Sequence, residues 1–321
     1  MGRAGRPFCL SMNILITGGT GSLGSALTKK WIDEGHSLTI ISRDDHKQLA
    51  MRQVWPQIKF HSLDLGDAGA SRRLLDASEG QDYCIHAAAA KYVSMGEYQP
   101  FAYLNTNVMG TLYLLQAWKQ MHGDCSKFLL ISSDKGIEPL NLYGGSKHVA
   151  SSLVRAPGYD GSILRYGNVV GSNGSFLSAW KRQANLGQSI LVKQGQPNGE
   201  FPTRFFLTMD GAVELVEAAL QLMAKGEGGV FLPPNLPAFS VMDVAKATGL
   251  SYQVVGIEPA EKLHEVLLAR GEGWETTGSL KLVRRVLCYW GRDSYYLPFK
   301  SDTASRMTGN KVLEALAWTP G

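Results

Sequence analysis

The sequence has few cysteines and no long hydrophobic run, and both absences narrow the class of protein. Four cysteines occur in 321 residues, and their spacing matches no metal-binding motif. We therefore expect no metal site and reduced thiols in a cytoplasmic protein, with Cys84 buried because it lies within an apolar strand pattern. Gly, Pro or charged residues interrupt each apolar stretch, so we expect no membrane-spanning segment.

An excess of charge of one sign is also missing. Lys and Arg number 32 against 28 Asp and Glu, a net charge of +4. Basic residues form no cluster interleaved with aromatics, so the expected partner is an anionic small molecule and not a nucleic acid. No apolar segment of signal-peptide length follows the basic first residues. We expect residues 1–11 to be disordered or an upstream extension, with the fold beginning at Met12.

Short apolar runs alternate with helical patterns along the chain. The runs are continuous in hydrophobicity, as in parallel strands whose two faces are covered by helices. We predict strands at residues 13–17, 38–42, 59–65, 83–89, 127–133, 162–169 and 230–233. We predict helices at residues 100–122, 143–156 and 211–224. The first of these is the clearest, because apolar residues recur at helical spacing from Phe101 to Leu115.

This alternation predicts the fold class and the division into domains. Repeated strand–helix units give an α/β fold with a doubly wound, parallel Rossmann sheet and right-handed crossovers. We assign residues 12–170 and 203–235 to this dinucleotide-binding domain. Residues 171–202 and 236–321 are expected to be irregular and to form a smaller, interleaved substrate domain over the carboxyl edge of the sheet.

A glycine-rich turn follows the first predicted strand. Residues 17–24 read Thr-Gly-Gly-Thr-Gly-Ser-Leu-Gly, and a helix pattern begins within them. Their glycines let the backbone turn sharply and approach a pyrophosphate, which the helix N-terminus attracts. The strand before and the helix after the turn favour a dinucleotide site over a purely structural turn. Cofactor contacts are assigned to Gly18, Thr20, Gly21, Ser22, Leu23 and Gly24.

The end of the second strand bears on the choice between NAD and NADP. An NAD site usually places an acid there for the ribose 2′-hydroxyl, whereas here Ser42 and Arg43 precede Asp44. This order favours a 2′-phosphate and hence NADP. In the alternative, Arg43 stacks on the adenine and Asp44 binds the ribose of NAD. Cofactor contacts in this region are assigned to Ser42, Arg43, Asp44, Lys47, Asp64 and Leu65.

Tyr143 and Lys147 lie four residues apart and so share one face of a predicted helix. A nearby ammonium lowers the pKa of a phenol, as a base that removes a hydroxyl proton requires. Such spacings are common on surface helices, but the dinucleotide turn upstream favours a catalytic pair. Ser133, at the end of the fifth strand, is placed to hydrogen-bond the reacting hydroxyl.

Asp134 and Lys135 follow Ser133 directly and place an acid beside an amine. Such a pair supplies a second proton donor and acceptor, which an elimination needs and a simple epimerisation does not. The alternative is a salt bridge that only stabilises the loop. An elimination by this pair would require a neutral Lys135 and a protonated Asp134, so desolvation would have to oppose their mutual attraction.

These residues resemble the pattern of the extended short-chain dehydrogenase/reductase family over nearly the whole chain. In that family the tyrosine removes a sugar hydroxyl proton as hydride passes to the nicotinamide, and the lysine holds the nicotinamide ribose. The Asp134–Lys135 pair and residues 86–93, 165–172 and 255–265 resemble the inverting UDP-N-acetylglucosamine 4,6-dehydratases in particular. Two positions depart from that subfamily: Glu258 stands where it has Arg, and Ala260 where it has Gly.

The resemblance implies further site residues. Additional cofactor contacts would be Ala87, Ala88, Ala89, Asn107 and Tyr166, beside Tyr143 and Lys147. Substrate contacts would be Lys91, Asn168, Arg204 and Glu261. The guanidinium of Arg204 matches the geometry of diphosphate oxygens.

The function implied is dehydration of a UDP-hexosamine, with UDP-N-acetylglucosamine as the expected sugar and NAD or NADP regenerated in each turnover. Hydride returns to C6 in a 4,6-dehydratase, or to C4 in the 5,6-dehydratase branch of tunicamycin biosynthesis. The alternatives are a nucleotide-sugar 4-epimerase, a carbonyl reductase and a non-catalytic cofactor-sensing protein. Tyr143 and Lys147 argue against the last. Helices 100–122 and 143–156 often form a dimer-making bundle in this family, which implies a homo-oligomer.

Overall fold

The computed structural model describes residues 11–172, 176–195, 199–270, 272–276, 284–288 and 299–317. Of residues 1–11, which were expected to be disordered or an upstream extension, all but Ser11 lie outside the described residues. The strands are β1 (Asn13–Thr17), β2 (Ser37–Ser42), β3 (Lys59–Ser62), β4 (Tyr83–His86), β5 (Phe128–Ser133), β6 (Ser162–Tyr166), β7 (Ile190–Gln194), β8 (Thr203–Phe205), β9 (Val230–Leu232), β10 (Ala238–Ser240), β11 (Tyr252–Gly256), β12 (Val266–Leu268), β13 (Glu272–Thr276), β14 (Arg284–Cys288) and β15 (Phe299–Lys300).

The helices surround this set of strands. They are α1 (Ser22–Asp33), α2 (Asp45–Val54), α3 (Ser71–Ser78), α4 (Val93–Tyr98), α5 (Pro100–Tyr103), α6 (Gly110–His122), α7 (Leu142–Val154), α8 (Phe176–Asn185), α9 (Met209–Ala224), α10 (Val241–Ala247) and α11 (Gly309–Glu314). Short 3₁₀ turns occupy Ala68–Ala70 and Asp134–Gly136, and a π-helical stretch occupies Leu104–Met109. In the part of the chain that the structure describes, no helix combines the length and apolar character needed to cross a bilayer.

The main sheet has the strand order β13-β14-β9-β6-β5-β4-β1-β2-β3. From β9 to β3 each strand is parallel to its neighbours, whereas β14 and β13 extend the β9 edge in antiparallel pairing. From β1 the strands are added first towards β3 on one side and then, from β4 onward, towards β6 on the other. This change in the direction of strand order, between β1 and β4, creates the crevice where doubly wound folds bind ligands. The predicted α/β Rossmann fold is confirmed.

Apolar side chains alternate between the two faces of this sheet. Ile14 and Ile16 of β1 pack on one face with Trp31 of α1 and with α9. Leu15 packs on the other face with residues of α3 and α6. Because both faces are buried, the strands read as continuous apolar runs, which is the feature that predicted them.

Three predicted strands extend too far towards their carboxyl ends. The structure ends them at Ser62, His86 and Tyr166, where the predictions ran to residues 65, 89 and 169. The additional residues leave the sheet and line the cavity at its carboxyl edge. Periodicity does not reveal these ends, since apolar residues continue into the loops at Leu63, Leu65, Ala87–Ala89 and Val169.

The predicted helix 100–122 is helical throughout, but residues 104–109 take the wider π form. Its inward face carries Tyr103, Asn107 and Leu114. Phe101 and Leu104, which helped to predict the helix, are 79% and 39% exposed. The helix therefore has a second apolar face that this chain alone does not cover.

The expectation of irregular structure in residues 171–202 and 236–321 is wrong. These segments contain helices and paired strands, with β7 on β11 and β8 on β10. Trp180, Val192, Phe239 and Val312 belong to an apolar cluster separate from the two that flank the main sheet. A smaller domain needs a hydrophobic core, and this cluster supplies one. The boundaries of the predicted substrate domain stay a prediction.

Candidate active site

A cavity of about 960 Å³ lies at the carboxyl edge of the parallel strands. Its lining includes the glycine turn, the ends of β2, β5 and β6, and parts of the segment after β6. All of the predicted site residues line this cavity except Asp134 and Asn107. Residues taken from distant parts of the sequence thus meet in one space, of a volume typical of ligand sites.

The glycine turn has the geometry of a phosphate cradle. Gly18 has φ +69°, and a Cβ there would lie 2.8 Å from the backbone of Ala88. A Cβ on Gly24 would lie 2.5 Å from the carbonyl oxygen of Gly18. The Gly21 amide donates to that same oxygen, and α1 begins one residue later with its N-terminus at the cavity. These residues fit the pyrophosphate of a dinucleotide.

The end of the cavity next to β2 carries both acidic and basic side chains. Arg43 lies 3.6 Å from Asp64, with both side chains about half exposed. Asp44 caps α2, accepting from the Lys47 backbone amide at 3.0 Å and pairing with the Lys47 ammonium at 3.0 Å. The Lys47 backbone amide, and then its side chain, lower the pKa of the Asp44 carboxyl. Asp44 is therefore an ionised acid with a local partner already in place.

Asn107 lies behind the wall of the cavity, whereas a residue that contacts the cofactor directly would line it. It is buried, with its amide donating to the carbonyl of Ala90 and to the hydroxyl of Ser146, and its oxygen accepting from the Ala90 amide. It therefore ties the loop after β4 to α7. This loop carries Ala87–Ala89 along the cavity, so Asn107 shapes the site without lining it.

Tyr143 and Lys147 lie on the first turns of α7, whose start is capped by Asn141. A Cβ on Gly144 would lie 2.3 Å from the carbonyl oxygen of Lys135, so glycine here lets α7 approach the loop after β5. The Lys147 ammonium donates to the Ile131 carbonyl at 2.7 Å, and burial lowers its pKa to about 8.

In the structure, the cation that acts on the pKa of Tyr143 is Lys135, whereas Lys147 was expected. Burial raises the pKa of the Tyr143 phenol, and the charge of Lys135 is the largest influence opposing that rise, followed by a hydrogen bond with Ser133. The sequence analysis gave this role to Lys147. The physical reason is that Lys147 hydrogen-bonds to β5, whereas Lys135 belongs to the loop that α7 packs against.

The Asp134–Lys135 pair is buried. The Asp134 side chain is fully inaccessible, and its Oδ1 accepts from Ser133 Oγ at 2.9 Å and from Lys135 Nζ at 3.1 Å. Lys135 Nζ also donates to Asn168 Oδ1 at 2.8 Å and lies 3.2 Å from Glu265 Oε1. Lys135 reaches the cavity with 19% of its side chain exposed. This arrangement is a closed network, unlike an exposed loop salt bridge.

The network separates the proton affinities of its two carboxyls. Burial raises the pKa of the Asp134 carboxyl, the charge of Lys135 opposes that rise, and Glu265 adds to it, with a net rise. For Glu265, the nearby cations Lys135, Arg204 and Lys262 outweigh burial and lower the pKa. The pKa of Lys135 is raised, because Asp134 and Glu265 outweigh burial. The two carboxyls therefore differ in proton affinity, as the members of an acid–base pair do.

At the far side of the cavity, Arg204 donates to the carbonyls of Thr203 and Leu263. Glu261 pairs with Lys193 at 2.8 Å, and Glu258 pairs with the same ammonium at 2.9 Å. Glu258, which stands where the resembling subfamily has Arg, therefore shares the cation Lys193 with Glu261.

Sequence reasoning missed Glu265, Lys193 and Lys262 as site residues. Glu265 ends the segment 255–265 that carries the resemblance, but nothing in the sequence distinguishes a buried glutamate from an exposed one. Lys193 lies on β7, where an isolated lysine resembles an ordinary solvent-facing residue. The signal that reveals all three is proximity in space to Asp134, Lys135 or Glu261.

The sequence matches one known protein family over most of its length. The sequence profile described as polysaccharide biosynthesis protein matches residues 14–285 of the 321. The chain belongs to this family. Among curated relatives, the chain is 34% identical to a UDP-N-acetylglucosamine 4,6-dehydratase (inverting) of Campylobacter jejuni, over 80% of this chain and 77% of the relative. It is 30% identical to a UDP-glucose 4-epimerase of Rickettsia conorii, over 81% and 78%.

Solved structures share the fold. Pen from Bacillus thuringiensis superposes on this chain with a TM-score of 0.81 at 24% identity, covering 97% of this chain and 98% of Pen. DesIV from Streptomyces venezuelae, a dTDP-glucose 4,6-dehydratase with NAD and TYD bound, gives a TM-score of 0.66 at 18% identity, covering 78% and 87%. At these identities the similarity establishes the Rossmann architecture.

Proposed function

We propose that this enzyme removes water from a UDP-hexosamine, with UDP-N-acetylglucosamine as the substrate and 4,6-dehydration as the reaction. The observation that carries the proposal is the buried Asp134–Lys135 pair, placed one residue beyond Ser133 and in electrostatic contact with Tyr143. An epimerisation needs one base, whereas this site holds a tyrosine and a separate acid–amine pair. The 34% identity to an inverting 4,6-dehydratase supports the same reaction.

Each residue has a role that its environment suits. A nicotinamide cofactor held by the glycine turn would supply the acceptor, and later the source, of the sugar's hydride. Tyr143 takes the proton of the C4 hydroxyl, with Ser133 hydrogen-bonded beside it and Lys147 on the same helix face. The resulting 4-ketone acidifies the C5 hydrogen, which Lys135 removes. Asp134, held towards its protonated form by burial, gives its proton to the departing C6 hydroxyl.

Product mass tests this proposal directly. Purified protein incubated with UDP-N-acetylglucosamine and oxidised cofactor is expected to yield a product lighter by one water, with no net reduction of the cofactor. Product NMR then separates a 4,6- from a 5,6-dehydrated sugar. An unchanged mass would instead support 4-epimerisation, the reaction named for the Rickettsia relatives, and bulk consumption of NADPH with a carbonyl substrate would indicate a reductase.

We further propose that NADP is the preferred cofactor, because Arg43 lies at the end of β2 with more than half of its side chain exposed to the cavity. Arg43→Ala is expected to raise the Kd for NADP about tenfold or more and that for NAD less than about threefold, since only NADP offers a 2′-phosphate to the guanidinium. Fluorescence titration of both cofactors measures this.

A matched control for that substitution is Arg52→Ala, because Arg52 stacks on Phe60 outside the cavity. It should leave both Kd values unchanged. If Arg43→Ala weakens NAD and NADP equally, Arg43 contacts a part common to both, such as the adenine, and the proposed preference is wrong.

We propose that the enzyme works as a homo-oligomer that pairs through the helices at residues 100–122 and 142–154. Support comes from the second apolar face described above, with Phe101 and Leu104 on one helix and Val149, 43% exposed, on α7. Apolar side chains of this size in neighbouring helices are typical of subunit contacts. Light scattering of the purified protein measures the oligomeric state.

A further inference from the structure

Glu265 is a buried carboxylate whose role the proposed reaction leaves open. It precedes β12, and Ser301 fixes its backbone by two hydrogen bonds: the Glu265 amide donates to Ser301 Oγ, and the Ser301 amide donates to the Glu265 carbonyl. The side chain is 3% exposed, with Oε1 at 3.2 Å from Lys135 Nζ. Oε2 has no hydrogen-bond partner among the residues that the structure describes.

Lys135 cannot act as a base while it is an ammonium ion. Two acidic side chains contact its Nζ, Asp134 at 3.1 Å and Glu265 at 3.2 Å, and the carboxylate of Glu265 holds it in the ammonium form. Asp134 has to keep a proton for the departing C6 hydroxyl, so it is unsuited to receive the one on Lys135. Of the carboxylates paired with Lys135 in the described part of the chain, Glu265 is the one that the reaction does not otherwise use.

We propose that Glu265 is a positioning residue that holds Lys135 in the site and accepts its ammonium proton once the sugar is bound. This inference rests on the proposed dehydration. In the transfer, an Nζ–H bond of Lys135 breaks and an O–H bond forms on Oε1 of Glu265, with no change of oxidation state. Lys135 is then a neutral amine beside the sugar, and Glu265 keeps the proton during turnover.

The remaining proton movements balance among Lys135, Asp134, Ser133 and Tyr143. Lys135 takes the C5 proton, and the electron pair of that bond forms the new double bond as the C6–O bond breaks. Asp134 protonates the leaving hydroxyl, which departs as water. When hydride returns to C6, Lys135 gives its proton back to C5 and is again a neutral amine. The proton that Tyr143 took from the C4 hydroxyl passes through Ser133, which is hydrogen-bonded to Tyr143 and donates to Asp134 Oδ1 at 2.9 Å, so that Asp134 is protonated again.

Arg204 connects this transfer to substrate binding. The charged groups that face Glu265 are Lys135, Arg204 at 3.9 Å and Lys262 at 3.9 Å, with Asp134 and Tyr143 beyond Lys135. The cations stabilise the carboxylate form of Glu265. A diphosphate bound to Arg204 offsets part of this positive charge, which increases the proton affinity of Glu265 at the moment when Lys135 has to lose its proton.

The test is the pH dependence of dehydration in Glu265→Gln, a substitution of nearly equal shape that cannot accept the proton. We expect turnover near pH 7 to fall about 100-fold. We also expect it to rise about tenfold per pH unit, because solvent then has to deprotonate Lys135, while the wild-type rate stays flat over the same range. Transient formation of reduced cofactor should persist, and Glu265→Asp should restore the flat profile at a lower rate.

The matched control is Glu258→Gln, which removes a cavity carboxylate that does not contact Lys135. It should keep the wild-type pH profile. If Glu265→Gln has a profile parallel to the wild type, whatever its rate, Glu265 only supports the fold and the inference is wrong. If wild-type protein itself releases no water from the UDP-sugar, the proposed function fails, and the inference fails with it.

Discussion

Tyr143→Phe is expected to abolish turnover, with a fall in kcat of about 1,000-fold or more. The substitution removes a single hydroxyl from a side chain that is 8% exposed, so the fold and the cavity should persist. Without that hydroxyl no group takes the C4 hydroxyl proton, and the reaction stops before oxidation. Rapid-mixing absorbance should therefore show no reduced cofactor, while cofactor and UDP-sugar still bind.

The control for this substitution is Tyr252→Phe, which removes a hydroxyl from a residue that is 42% exposed on β11. Its turnover should match that of the wild type. Reduced cofactor at the wild-type rate in Tyr143→Phe would assign the C4 proton to another residue and would remove the basis for the order of steps given above.

Lys135→Ala is expected to stop the reaction one step later, after oxidation. Water loss should fall about 1,000-fold, because no amine remains to take the C5 proton. Reduced cofactor should still form. Since the charge of Lys135 opposes the burial that raises the Tyr143 pKa, its removal should raise that pKa further. Oxidation in the variant should accordingly need a higher pH than in the wild type, as a pH series of rapid-mixing traces would show.

Lys225→Ala provides the control, because Lys225 is exposed at the end of α9. It should change neither step. Dehydration at the full rate in Lys135→Ala would show that another group removes the C5 proton. A complete loss of oxidation at all pH values would instead make Lys135 necessary for the first step, and the two-step assignment would be wrong.

Much of the site was predictable because its chemistry is local in the sequence. The glycine turn lies within one strand–helix unit, and Tyr143 and Lys147 lie on one helix. Asp134 and Lys135 are neighbours, so their contact follows from the chain itself. The main sheet was predictable for a similar reason, since strands buried on both faces have continuous apolar sequences.

The remainder depends on contacts between distant residues. Glu265 meets Lys135 across 130 positions of sequence, and Lys193 meets Glu258 across 65. Long-range contacts with Lys135 and Arg204 lower the pKa of Glu265, and no local pattern encodes them. The π-helical stretch at Leu104–Met109 was missed for another reason, since its apolar spacing is also compatible with an α-helix.

The central claim is that one sugar ring loses water while its C4 hydrogen is removed and returned within the same molecule. UDP-N-acetylglucosamine carrying deuterium at C4 tests this in a single mass and NMR measurement. We predict a product lighter by one water that retains the deuterium, at C6 for a 4,6-dehydratase. A product of unchanged mass, or deuterium recovered in free reduced cofactor, would contradict the account.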